Sequence, residues 1–371
     1  MFRPRSHDPT PGQAAALELL ADFEFDDAKL TGFAGTGKTE TIRALVERPH
    51  GLTVCLAAPT NKAVRVLRAK IGASFDYRTV DGLCGFRGRE DSDGRAVFDD
   101  APAVPPMIDQ YDVVVVDEAS MLRADRYRIM MENRGDARFL FVGDPYQLAP
   151  VGGEPSPVFT LPGATLTELV RQRPGDPLAF VSTICRHWID TGRRPDKAAI
   201  AALPGFAPLS IPTMYDSTVQ AILDGQDARV ICYTNGAVNT ANWAIHYALH
   251  GATRLPFVAG ETILAQDEFK ANGVRITNAE ELLIRNIDDL GGGRFRMNLA
   301  DDVEFTVGER RGDVKPWKIR HNYAMTSHKC QGSTFDRVMV NAPDMMQAGG
   351  ELGRLLYVAC SRPRTDLGIL G

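Results

Sequence analysis

The stretch Thr31–Thr39, TGFAGTGKT, decides how the rest of the chain is read. Gly32, four residues, then Gly37, Lys38 and Thr39 is the full spacing of a phosphate-binding P-loop. Its glycines, with Gly35 and Thr36 between them, let backbone N–H groups turn inward around phosphate oxygens without a Cβ in the way. Lys38 is spaced to reach the β and γ phosphates, and the Thr39 hydroxyl to hold Mg2+. The flanks agree. A strand-like run, Ala28 to Thr31, enters the loop, and a helical pattern with Ile42, Leu45 and Val46 on one side leaves it and stops before Pro49. Bound phosphates would therefore sit on a helix N-terminus.

Upstream, TPGQAAALELLADF reads as a helix capped by Thr10 with Pro11 in its first turn. Gln13 at its start can offer an amide to an adenine edge, whose donor and acceptor match the amide's own pair. Downstream, Leu52 to Ala58 is an apolar strand, followed by a turn at Pro59 and a helix carrying Lys62, Arg65, Arg68 and Lys70. Pro59, Thr60, Asn61 and Lys62 fall at the carboxyl end of a buried strand, where open α/β sheets place their ligands. The segment Cys84 to Met107 breaks the α/β rhythm with two short stretches around an Asp-Ser-Asp-Gly turn, which predicts a β-hairpin insertion and a Pro-rich return.

DVVVVDEAS follows. Four consecutive valines bounded by charges predict a strand buried on both faces. Asp117 and Glu118 at its end form a Walker B pair, Asp117 supporting Mg2+ and Glu118 polarising the attacking water. The next strand, Arg138 to Val142, ends in GDPYQLAPVG, where Gln147 can touch a γ-phosphate or its water without bringing a second negative charge. Further on, LVRQR places Arg171 and Arg173 around Gln172, and one such arginine can stabilise charge on a transferring phosphoryl group.

The second half repeats the α/β texture. A helical stretch, Pro177 to Thr191, leads to the strand ARVICYTN and the helical VNTANWAIHYALH. From about Phe257 to Asp313 short β-like runs separated by Gly-Gly-Gly and Asp-Asp turns predict a small barrel inserted into the second unit. The α/β pattern resumes with HNYAMTSHKCQGSTFDRVMVNAP and closes with the helix LGRLLYVACSRPRTD and the strand LGIL.

Composition sets outer limits. At 371 residues, 44% hydrophobic and 24% charged, the chain has an ordinary globular make-up and room for two or more domains. A net charge of -5 excludes a protein that coats nucleic acid by bulk charge, so any contact with it must come from local grooves. Six cysteines, Cys55, Cys84, Cys185, Cys232, Cys330 and Cys360, contain no C-x-x-C pair, which predicts reduced thiols and neither a zinc site built from such pairs nor a disulfide framework. No apolar run approaches 18 residues and the N-terminus lacks the apolar core of a signal peptide, so a cytoplasmic protein is expected.

In order along the chain, these blocks resemble the motifs of superfamily 1 helicases of the 5′-to-3′ group, superfamily 1B, which includes RecD and Dda. GFAGTGKT looks like motif I, APTNKAV like Ia, RTVDGL like Ib, VVDEAS like II, GDPYQLAPV like III, LVRQ like IV, AMTSHKCQGSTF like V and YVACSRPR like VI. The resemblance spans Gln13 to Arg362. It implies an α/β fold of two RecA-like domains, at 1–168 and 169–371, with a β-hairpin pin at 84–108 in the first and an SH3-like β insertion at about 257–315 in the second. It also implies ATP and Mg2+ in the interdomain cleft, Arg171 and Arg362 as arginine fingers, and Gly332 approaching the nucleotide. Thr60, Asn61, Lys62, Thr79, Thr326 and His328 would lie along the single-stranded DNA path, and Phe98 or Phe86 of the hairpin would wedge the fork.

The expected partners are single-stranded DNA and a duplex fork, with single-strand-binding protein or replisome components, no membrane, and a monomeric chain in a bacterial or phage-infected cell. Two positions depart from the pattern: Thr334 stands where a glutamate often contacts the ribose, and Asp81 where motif Ib often has histidine. Ending at Gly371 directly after the last strand, the sequence reads as a minimal helicase core of phage or mobile-element type. A translocase that strips proteins without separating strands, and a nucleotide-gated DNA-binding factor with little turnover, are the competing readings. A complete hydrolytic set disfavours the second.

Overall fold

The computed structural model describes residues 8–23, 26–90, 96–98, 101–150, 152–170, 177–195, 210–300 and 302–370. Two compact units divide the chain, the first within 1–88 and 98–176 and the second within 89–97 and 177–371. The first unit thus runs past 168, to 176.

Its strands are β1 (Asp27–Gly32), β2 (Val54–Ala58), β3 (Asp76–Thr79), β6 (Val113–Val116), β7 (Arg138–Gly143) and β8 (Gly163–Leu166); β4 (Gly88–Glu90) and β5 (Ala96–Phe98), which fall almost wholly in the 89–97 segment grouped with the second unit, form a separate two-stranded pair. The six strands make one parallel sheet in the order β3-β2-β6-β7-β1-β8. Alternation along each strand sends neighbouring side chains to opposite faces. Leu56, Val113, Val115, Leu140 and Val142 join one core with Ile42 and Leu45 of the helix Lys38–Val46 and Leu67 of the helix Asn61–Ile71. Cys55, Ala57, Val114, Val116, Phe139 and Phe141 join a second core with Leu83, Phe86, Ile108 and Met130. The four-valine run is therefore buried on both faces, as a central parallel strand requires.

Between Leu83 and Ile108 the chain makes an excursion with a narrow base. Gly85 O accepts from Ala103 N at 2.9 Å and from Val104 N at 3.2 Å. Gly85 is left-handed (φ 81°), and a Cβ there would lie 2.0 Å from Val104 O, so no other residue fits.

The second unit holds a parallel sheet of β9 (Ala228–Cys232), β17 (Ala324–Thr326), β18 (Phe335–Asn341) and β19 (Pro363–Leu370), in the order β17-β9-β18-β19. Between β9 and β17 come the helix Asn235–His250 and β10 (Thr262–Ala265), β11 (Phe269–Ala271), β12 (Val274–Ile276), β13 (Glu281–Gly291), β14 (Arg294–Leu299), β15 (Glu304–Val307) and β16 (Ile319–His321). Five of these form an antiparallel sheet, β15-β14-β13-β10-β16, with β11 and β12 as a hairpin beside it. Phe257, Ile263, Ile284, Phe295, Met297, Phe305 and Ile319 give it a core of its own. Among the described residues this sheet is open, with β15 and β16 at its edges, and through β16 it runs on beyond residue 315 to the strand that re-enters the parallel sheet.

Asn242 fastens the helix Asn235–His250 to that strand. Its carboxamide, 1% exposed, accepts from Tyr323 N (2.9 Å) and Ala324 N (2.8 Å) and donates to Ala324 O (3.2 Å). Asp344 closes the other end of β9 by accepting from Tyr233 N, Thr234 N and the Thr234 hydroxyl at 2.6, 2.9 and 2.7 Å.

Candidate active site

The sheet order brings the chemistry together. β6, β7 and β1 are consecutive neighbours, so the loop after β1 and the carboxylate pair after β6 lie about 10 Å apart, two interstrand spacings, with the end of β7 between them. Gly143 ends β7 against the Asp117–Ser120 turn: a Cβ there would meet Ala119 N and Ser120 N, both at 3.2 Å. Asp144 is fully buried just beyond, its carboxylate accepting from Tyr146 N at 3.0 Å, and Gln147 is 3% exposed.

The loop itself has the backbone that a phosphate-binding turn requires. Gly35 and Gly37 take left-handed backbone (φ 87° and 84°), and Lys38 opens the helix that follows. A Cβ on Gly32 would meet the Thr36 hydroxyl at 2.5 Å, and one on Gly37 would meet Gln13 Nε2 at 2.2 Å, so the loop closes only with glycine at these places. Lys38 Nζ donates to Gly32 O (2.7 Å) and Phe33 O (3.1 Å), and the Thr36 hydroxyl donates to Phe33 O (2.9 Å). Gln13 seals one side. Its Oε1 accepts from Thr10 N at 3.0 Å within a capping box, and its Nε2 donates to Thr36 O at 3.2 Å.

On the opposite side, loss of solvent pushes the Asp117 carboxyl above the ordinary carboxylate range, while Glu118 N–H and the Lys38 ammonium pull it down. Glu118 N donates to Asp117 Oδ1 at 2.9 Å. Glu118 itself sits at φ 53°, ψ 40°, a left-handed conformation that costs a residue with a side chain about 1–2 kcal/mol. A hydroxyl from Thr39 and a carboxylate from Asp117 are hard oxygen donors, a set that fits Mg2+ and not a soft metal.

The residues expected on a DNA path lie at the carboxyl ends of strands in both units. Pro59 and Thr60 follow β2, Asn61 and Lys62 open the next helix, and the Thr60 hydroxyl caps it by accepting from Ala63 N at 3.2 Å. Thr79 ends β3, paired with Ala58, and its hydroxyl accepts from Gly82 N at 3.0 Å. In the second unit Thr326 ends β17, His328 follows with its imidazole pKa lowered by burial, and Gly332 is left-handed (φ 74°).

Arg362, 5% exposed, donates through Nε to Val358 O (3.0 Å) and through Nη2 to the Ser361 hydroxyl (2.8 Å), gripping the end of the helix Leu352–Cys360. Arg171 lies outside the described residues, and so does the side chain of Phe98.

One sequence expectation changes. Phe86 is no wedge: it is 4% exposed in the second core of the first unit, with the Arg126 guanidinium 3.5 Å from its ring centre. An aromatic so packed cannot reach a base pair. Asp81, which departs from the motif Ib pattern that often has histidine there, forms an ion pair with Arg126 at 2.7 Å.

Sequence reading also missed Lys329. Burial, reinforced by the Arg320 charge, lowers its pKa to about 8, and its Nζ donates to Gln266 Oε1 at 2.7 Å. Its place beside His328 was the available signal.

A P-loop, a carboxylate pair one strand removed from it and an amide between them, all at the carboxyl edge of a parallel sheet, define a P-loop nucleoside triphosphatase. The family model for an AAA domain matches residues 9–195, and that for a UvrD-like helicase C-terminal domain matches 321–370. The ATP-dependent DNA helicase dda of Enterobacteria phage T4 is 26% identical over 441 aligned residues, covering 97% of this chain and 98% of that protein. RecBCD enzyme subunit RecD of Mycolicibacterium smegmatis is 26% identical, covering 92% of this chain and 68% of that one. A crystal structure of Bacteroides Pif1 bound to ssDNA shares the fold at 17% identity with a TM-score of 0.62, over 98% of this chain and 92% of that one. The chain belongs to the AAA-domain P-loop ATPases, and over nearly its whole length it is similar to the dda and RecD helicases.

Proposed function

We propose that this chain is an ATP-dependent DNA helicase that moves 5′ to 3′ on single-stranded DNA and separates duplex ahead of it. The observation that carries the reading is the hydrolytic set of Lys38, Asp117, Glu118 and Gln147 on three consecutive strands, in a chain that the phage helicase matches almost end to end.

Lys38 binds the β and γ phosphates, exchanging the carbonyls of Gly32 and Phe33 for phosphate oxygens. Mg2+, when bound, neutralises phosphate charge, and Thr39 and Asp117 are the residues that would hold it. Glu118 takes the proton of the attacking water, and Gln147 orients that water. Gln13 keeps one amide hydrogen and one lone pair beyond those used on Thr36 and Thr10, the pair needed for an adenine edge. Arg171 and Arg362 supply positive charge from outside the P-loop, which requires Arg362 to leave its place on the helix end when nucleotide binds.

Pro59, Thr60, Asn61, Lys62 and Thr79 on the first unit, and Thr326, His328 and Lys329 on the second, hold the DNA backbone. The Thr60 and Thr79 hydroxyls each accept one backbone bond and keep their own hydrogen to donate. The β4–β5 pair acts as the pin, with Phe98 its candidate wedge, and the antiparallel sheet, which extends past the expected 257–315 through β16, serves as the SH3-like insertion. Duplexes with a 5′ or a 3′ single-stranded tail, incubated with ATP and Mg2+, test the assignment. The 5′-tailed substrate should be unwound, and equal or better unwinding from the 3′ tail would refute the polarity.

A further inference from the structure

The helix Asn235–His250 carries two histidines one turn apart, His246 and His250, which one helix face presents together. Their ring centroids are 5.1 Å apart. Glu261, at the entrance to β10, comes from a different segment and is 3% exposed. Its Oε1 accepts from His246 Nδ1 at 2.8 Å and from His321 Nδ1 at 2.7 Å, and its Oε2 from Val258 N at 3.1 Å. None of these groups takes part in nucleotide or DNA chemistry as described above.

We propose that His246, His250 and Glu261 form a site for a divalent transition metal of the zinc class, seated where the parallel-sheet part of the second unit meets its antiparallel sheet. One potential ligand atom from each residue lies within 4.8 Å of the other two. Tetrahedral bonds of about 2.0–2.2 Å to nitrogen and oxygen place ligands roughly 3.4 Å apart, so no gap needs to close by more than about 1.4 Å. His250, the one exposed ligand, gives an ion its way in, and the adjustment would come at its ring, whose Nε2 lies 3.1 Å from the Tyr323 hydroxyl.

Two imidazoles and a carboxylate leave the fourth position for water, and the mixed nitrogen and oxygen set favours zinc over Mg2+ or Ca2+. The surrounding groups suit an ion as well. Binding the metal through His246 Nδ1 replaces the hydrogen bond from that atom to Glu261 Oε1 and moves the ring hydrogen to Nε2, which can then donate toward the Thr253 hydroxyl, 3.5 Å away. His321 steadies Glu261 from the other side, the kind of outer contact that orients a metal ligand. The bound ion would clamp the helix to the strand β10.

The test uses the full chain, free of any affinity tag, stripped with a chelator and then dialysed against Zn2+ in the presence of excess Mg2+. Elemental analysis should find one equivalent of zinc, Co2+ in its place should give the intense absorption of a tetrahedral ion, and Zn2+ should raise the melting temperature. His250→Ala, at an exposed position where folding is safe, should weaken zinc binding by at least about 100-fold, a loss at or beyond that seen on removing outer contacts alone. His321→Gln should weaken it by about 10- to 100-fold. His187→Ala, elsewhere on the surface, and Lys38→Ala, which disables the nucleotide site, should bind as the parent chain does, so failure here is separable from failure of the helicase reading. No retained zinc, an octahedral cobalt spectrum, or equal binding by His250→Ala would overturn the site.

Discussion

Glu118 offers a test in which stability and catalysis move in opposite directions. Its left-handed backbone costs about 1–2 kcal/mol with a Cβ present, and glycine at the same position carries no such penalty but loses about 0.5–1 kcal/mol more chain entropy on folding. Glu118→Ala and Glu118→Gly remove the same carboxylate and differ only in the backbone term. Glycine should therefore be the more stable of the two by about 0.5–1 kcal/mol, the reverse of the usual order in regular structure. For a unit of this size that is roughly 1–4 °C in the melting temperature of the first unit. ATPase activity should fall by about 10² or more in both, and in Glu118→Gln, if the carboxylate is the general base. Calorimetric melting beside a DNA-stimulated ATPase assay reads both quantities. If Glu118→Ala melts at or above Glu118→Gly, the backbone there is not strained. Undiminished turnover in Glu118→Gln would remove the base from Glu118.

Arg362→Ala should lower turnover by about 10³ if the guanidinium acts on the phosphoryl group; lost melting temperature with normal specific activity in the folded fraction would leave it only the hold on Val358 O and Ser361. Replacing 87–99 by a short glycine linker should abolish unwinding while DNA-stimulated ATPase and single-strand translocation survive, and unchanged unwinding would move strand separation elsewhere. Phe86→Ala should cost about 3–5 kcal/mol in urea denaturation, and reduced unwinding at parental stability would restore its wedge role. Lys329 should make DNA affinity fall as pH rises through about 8, where the free chain loses that charge. Its folded pKa lies below the ordinary lysine value, so the folded state binds fewer protons there and the group's contribution to stability rises with pH above about 8. Affinity and melting should diverge across that window, and Lys329→Met should abolish the affinity trend.

What the sequence disclosed depended on how local the signal was. The P-loop, the valine strand and Asp117–Glu118 are contiguous runs whose chemistry and geometry are set within a few residues, and the parallel sheet follows from the alternation around them. Phe86 was misread because its fate depends on Arg126, forty positions away in the chain, whose guanidinium covers its ring. Asp81 has the same partner. His246 sits on a helix, Glu261 just before β10 and His321 on β16, 15 and 60 residues apart in the chain, and no spacing rule links them. Arg362 stands in a legible motif, but its grip on Val358 O depends on the folded helix end.

The narrow base at Gly85 has a practical consequence for building new molecules. Ala103 and Val104 both donate to Gly85 O, so the two ends of the excursion are held together at one left-handed residue of the first unit. Cys84, Phe86 and Ile108 fill the core on the near side of it. A hairpin of another length spliced in between 88 and 101 keeps Gly85, its two backbone bonds and the core residues Cys84, Phe86 and Ile108 of the first unit.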